Sequence, residues 1–198
     1  MDSFHPAGPL SCRAKIKIAT QWPRSGKRCG MADVFVPKIL VLATEKCAYP
    51  GADAVGKAHL EYPSSVYILR VLSPVLFPED FYLRTYSKGI DGIIIAACGS
   101  DCPYHGAYDR LAARIDRLTT NMKNGGLGIE RIRLTAICTV CIKAFLKEIA
   151  EMTDNLVRLG PVDRSLAGKL YNESLQRLHS TVNPALLGGN STSERVSL

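Results

Sequence analysis

No stretch of these 198 residues approaches eighteen consecutive apolar positions, so the sequence offers no membrane-spanning helix. The basic N-terminus lacks the apolar core of a secretory signal, which leads us to expect a reducing compartment, the cytoplasm. No internal repeat is visible. No Ser/His/Asp arrangement can be read among the four histidines, and His59 reads as a satisfied histidine at a helix. Gly51-Ala52-Asp53 lacks the glycine spacing that cradles a pyrophosphate, so no nucleotide is expected.

Charge excludes a further class. The formal net charge of +7 suggests a nucleic-acid binder until it is located. Residues 1–30 hold Arg13, Lys15, Lys17, Arg24, Lys27 and Arg28 against the single acid Asp2. Six of the 25 basic and one of the 18 acidic residues are thereby accounted for, leaving 19 against 17 in the rest. The body is close to neutral, and no nucleic-acid partner is expected.

What the chain does have is cysteine: seven, an odd number, too sparse for a disulfide scaffold and high for a reducing compartment without a metal. Cys12 and Cys29 lie in residues 1–36, a segment broken by Pro and Gly that reads as a flexible arm. The other five follow a repeating pattern. Strands are expected over Lys38–Ala43, Val66–Leu72, Gly92–Ala97 and Arg131–Ile137, each an apolar or alternating run. Helices are expected over Ala52–Tyr62, Pro78–Lys88, Tyr108–Lys123 and from Cys141 to Leu159. The third strand, Gly-Ile-Ile-Ile-Ala-Ala, is apolar throughout and reads as central; the fourth alternates around Arg133 and reads as nearer an edge. Gly160-Pro161 closes this unit, residues 37–161. Residues 162–198 add a helix over Ser165–His179, anchored by Leu166, Leu170 and Leu178, and a polar tail.

A strand-loop-helix unit repeated four times implies an α/β fold: an open, mostly parallel sheet in a flavodoxin-like three-layer sandwich of order 2-1-3-4. Parallel strands send every strand-to-helix loop to one edge. Cys47 then follows the first strand, Cys98 and Cys102 the third, and Cys138 and Cys141 the fourth. With strands about 4.8 Å apart, five thiols meet at one rim. Any single cysteine can be a small buried hydrophobe; five at one rim point to a metal site. Iron-sulfur and zinc both take thiolates, and Cys138-Thr-Val-Cys141 also has the spacing of a dithiol redox pair, so an iron-sulfur protein, a zinc-stabilised interaction module and a thiol redox protein all remain open. His105, three residues after Cys102, is a candidate hydrogen-bond donor to a ligand or an alternative ligand itself.

The stretches Pro37–Asp53 (PKILVLATEKCAYPGAD), Arg70-Val71, Gly89–Cys102 (GIDGIIIAACGSDC) and Arg158–Pro161 resemble the small iron-sulfur (delta) subunit of methyl-viologen-reducing hydrogenase over residues 37–161. The same module occurs beside heterodisulfide-reductase-A-like flavoproteins and in class II benzoyl-CoA reductase complexes. The resemblance implies one 2Fe-2S cluster that passes electrons between subunits, held here by four of Cys47, Cys98, Cys102, Cys138 and Cys141, with no catalytic residue of its own. The chain departs from the family pattern at Thr44 and Ser73, which stand where relatives place cysteines. The loop between Cys98 and Cys102 is one residue shorter, and Cys138 and Cys141 occupy a loop usually free of cysteine. Lys46 and the backbone N–H groups of Gly99 and Ser100 are then expected to raise the cluster potential.

Overall fold

The computed structural model describes residues 35–99, 104–137, 139 and 141–181. Strands β1 (Ile39–Thr44), β2 (Val66–Val71), β3 (Gly92–Ala97) and β4 (Ile132–Ala136) form one sheet of order β2-β1-β3-β4. All three pairings are parallel, with Thr44 beside Val71, Ala43 beside Ala96 and Ala97 beside Ala136. The expected order and class are those found. Helices α1 (Ala48–Lys57), α2 (Glu79–Ser87), α3 (Ala107–Asn124), α4 (Ile142–Leu159) and α5 (Arg164–Thr181) cover the sheet.

The pleat divides the core in two. Ile39, Val41 and Ala43 of β1 and Ile94 and Ala96 of β3 face α1 and α4, meeting Val55, Phe145, Ile149 and Met152. Leu42, Ile93, Ile95 and Ala97 face the opposite layer of α2, α3 and α5, where they meet Tyr82, Leu111, Leu118 and Met122. Every residue of β3 is buried, which is why its sequence shows no alternation. Gly92 begins that strand because α4 crosses against it: a Cβ there would lie 2.5 Å from Leu156 Cδ1. β4 is an edge strand, as its alternation suggested, and Arg133 on it donates to Glu148 (3.0 Å) and Glu151 (2.8 Å) of α4.

Two differences from the sequence reading matter. α1 begins at Ala48 rather than Ala52, so the loop after β1 is only Glu45-Lys46-Cys47. Pro50 does not oppose this, since its missing N–H falls in the first turn, where no intrahelical partner exists. His59 lies beyond the end of that helix, at φ 52° and exposed. At the other terminus the core continues past Gly160: Val162, Ala167 and Leu170 are buried in the layer shared with α2 and α3, whereas Leu178 is exposed and anchors nothing.

A buried polar knot fastens α5's approach to the amino edge of the sheet. Asp91 is 5% exposed. Its carboxylate accepts from the N–H of Lys38 (2.9 Å) and of Val162 (3.0 Å). Buried Arg131 donates to the carbonyls of Asp91 (3.2 Å), Gly160 (3.0 Å) and Pro161 (3.2 Å). Its own carbonyl accepts from the Tyr86 hydroxyl at 3.0 Å.

Candidate metal centre at the carboxyl rim of the sheet

The opposite edge carries the cysteines. β1 ends at Thr44, and a tight turn, with the Cys47 N–H donating to the Thr44 carbonyl at 3.3 Å, puts Cys47 at the N-cap of α1. β3 ends at Ala97 and Cys98 follows. Gly99 then turns the chain at φ 64°, with Ala136 Cβ only 3.0 Å from where its own Cβ would stand. Both the positive φ and the close neighbour call for glycine. Cys47 and Cys98 are half-buried, their Cα atoms 5.5 Å apart and their sulfurs bonded. Fifty-one residues separate them in sequence. The parallel pairing of β1 with β3 brings them together.

Cys141 is the N-cap of α4, half-buried against the layer that holds Ala48, Ala96, Ile137 and Phe145. Its sulfur is bonded too. Cys47 and Cys141 thus both stand at helix N-termini, where the free N–H groups and the macrodipole favour negative charge on sulfur. Cys102 and Cys138, like Ser100, lie outside the described residues. Among the described residues no three His, Cys, Asp or Glu side chains are gathered so as to hold a metal ion. The donors that do meet at the rim are sulfur, which suits iron-sulfur clusters and zinc, not a hard cation.

Beside Cys98 lies a partly enclosed cleft whose walls are mostly apolar, with Leu72, Ala97 and Leu111 among them. Thr44, Lys46, Ser73, Cys98, Tyr104 and Tyr108 also line it, and its volume is about 20 Å³. Ser73, two residues past the end of β2, is buried. Thr44 is buried as well, its hydroxyl 3.7 Å from Cys98 Sγ. Sequence reading identified Thr44 only as a missing cysteine; its polar side chain at the end of an apolar strand, followed by a turn, was the available signal. Lys46 is exposed, and so is His105, which gives His105 the place of a surface residue in the loop. Glu45 pairs with Arg70, whose guanidinium lies 5.3 Å from the centre of the Tyr49 ring. That hydrogen bond with Glu45 holds Arg70 still more firmly protonated.

Fold and rim define a class: parallel α/β proteins whose strand-to-helix loops present cysteines at one edge. Residues 39–160 match the family model for the methyl-viologen-reducing hydrogenase delta subunit, and the chain belongs to that family. Over 132 residues, 66% of this chain, it is 28% identical to a hydrogenase iron-sulfur subunit of Methanococcus voltae, covering 92% of that protein. A hydrogenase iron-sulfur subunit of Archaeoglobus profundus is 27% identical over 132 residues and covered to 96%. A ferredoxin:CoB-CoM heterodisulfide reductase subunit of Methanosarcina mazei is 29% identical over 132 residues, but the chain spans only 16% of its length. This unit therefore matches nearly the whole of one kind of relative and a short segment of another. Among the described residues no helix is long and apolar enough to cross a membrane.

Proposed function

We propose that the chain is a small electron-relay subunit of a multi-subunit oxidoreductase, holding one 2Fe-2S cluster at its carboxyl rim. Cys47, Cys98 and Cys141 would hold it together with Cys102 or Cys138. The observation that carries this reading is the meeting of Cys47 and Cys98, drawn from two loops 51 residues apart to a Cα separation of 5.5 Å. When bound, the cluster supplies a one-electron couple whose potential depends on burial and on hydrogen bonds to sulfur. The chain's residues do the rest. The N-termini of α1 and α4 favour thiolate at Cys47 and Cys141, and Lys46 adds positive charge at the rim. Each favours the more negative, reduced state and raises the potential.

The partners we assign are the redox subunits of the same complex, among them a heterodisulfide-reductase-A-like flavoprotein. The match to a 16% segment of a heterodisulfide reductase subunit supports that choice. The complex is of hydrogenase, heterodisulfide-reductase or benzoyl-CoA-reductase type, and we place it in the cytoplasm. Protein isolated without oxygen tests the reading. We expect a brown chain with about two irons and two acid-labile sulfides. Stoichiometric zinc without labile sulfide, or a colourless metal-free dithiol, overturns it.

A further inference from the structure

Thr44 is the last residue of β1 and only 4% exposed. Three elements meet on its hydroxyl. Oγ1 donates to the Ala96 carbonyl of β3 at 3.1 Å and accepts the N–H of Ala48, the first residue of α1, at 3.4 Å. Its third neighbour is Cys98 Sγ at 3.7 Å. A hydroxyl has one proton and two acceptor lone pairs. That sulfur is bonded to Cys47 in this structure; as a thiol at the same place its S–H would donate to Oγ1. Once the sulfur is a thiolate it can only accept, and rotation about the Cβ–Oγ1 bond turns the Thr44 proton from the Ala96 carbonyl toward it.

We infer that Thr44 is a positioning residue for the Cys98 sulfur, fixing it at the rim and stabilising it whenever it is reduced and electron-rich. This builds on the iron-sulfur reading above, with Cys98 as a ligand, but its consequence also extends to the metal-free protein. There, Cys47 and Cys98 each lose a proton and together two electrons to oxidised glutathione: one S–S bond forms, the glutathione S–S bond breaks, and two glutathione thiols leave. The disulfide sulfur has no proton to give and is a poor acceptor, so Thr44 favours the dithiol side.

Thr44→Val removes the hydroxyl at nearly constant shape, and Thr44→Ser restores it. In cluster-loaded protein, a spectroelectrochemical titration should show the one-electron equilibrium constant of Thr44→Val falling about tenfold, a downward shift of about 59 mV, with Thr44→Ser close to the parent. In metal-free protein, a glutathione redox titration read by thiol alkylation and peptide mass spectrometry should show Thr44→Val moved several-fold toward the disulfide, and Thr44→Ser not. If Thr44→Val does not fold, Thr44→Ala takes its place. A residue that merely ties β1 to α1 would lower the thermal midpoint and leave both constants unmoved, and that result overturns the inference; so does a serine variant displaced as far as the valine one. If the parent chain takes up no iron, the iron-sulfur reading fails, while the glutathione equilibrium still decides the role of Thr44.

Discussion

Replacing Asp91 by Ala should loosen the molecule at the edge opposite the cysteines. The carboxylate accepts two backbone N–H groups, from Lys38 at the entry to β1 and from Val162 at the entry to α5. A hydrogen bond to a charged group is worth about 1.5–3 kcal/mol, and a buried donor left without a partner costs about 1–3 kcal/mol. The Val162 bond is fully buried and the Lys38 bond partly so. Counting each lost bond once, with the exposed side of Lys38 recovering water, gives a loss of about 3–5 kcal/mol. The Arg131 contacts should survive, because that guanidinium bonds the Asp91 carbonyl and not the carboxylate. With a urea slope of about 2 kcal/mol/M, the unfolding midpoint falls by about 2 M. Asp91→Asn, which keeps one acceptor oxygen, should lose about half as much. Hydrogen exchange should show protection lost at Val162 and through the first turn of α5. An alanine variant within about 1 kcal/mol of the parent, or an asparagine variant less stable than the alanine one, would refute this account of the knot.

Three further outcomes are expected. The double change Cys138→Ala, Cys141→Ala should abolish iron and labile sulfide while Ser73→Ala leaves them in place, since thiolate matches iron-sulfur better than hydroxyl does; a full visible spectrum in the double mutant would make those cysteines bystanders. Burial pushes the Tyr82 hydroxyl up to about 12 from its ordinary 10. The folded chain therefore favours its neutral form, and the Tyr82 contribution to stability should be whole below about pH 10 and fall by roughly 2–3 kcal/mol as the pH climbs to about 12, with Tyr86, whose hydroxyl burial also pushes up, adding to the loss. A flat stability profile over that interval would contradict the shift. Among the described residues the Tyr82 hydroxyl is buried with no hydrogen-bond partner, so Tyr82→Phe should be neutral or about 1 kcal/mol more stable near pH 7 by urea unfolding.

The sequence revealed most where one physical constraint acted alone. The six apolar residues of β3 admit no reading but a strand covered on both faces, and Gly92 to Ala97 are its bounds in the structure. Strand order followed from the flavodoxin-like pattern of repeated strand-loop-helix units, with which the apolar β3 inside the sheet and the Arg133-bearing β4 at its edge agree. Boundaries slipped where a local signal competed with the fold. Pro50-Gly51 reads as a loop, yet the packing of Ala48 and Ala52 against β1 and β3 draws them into α1, where a first-turn proline is tolerated. The Asp91–Arg131 knot left no trace in periodicity, because its partners are backbone groups 29 to 71 residues away. The rim was legible only through topology, as no spacing within the sequence joins Cys47 to Cys98. Thr44 was the hardest to read. Its type, at the end of a buried strand, suggests no more than a replaced ligand, and its contact with sulfur exists only because β1 and β3 pair in a register that sets Ala43 beside Ala96. A hydroxyl in that position stands 3.7 Å from the Cys98 sulfur and, being harder than a thiolate, competes poorly for a metal that prefers sulfur.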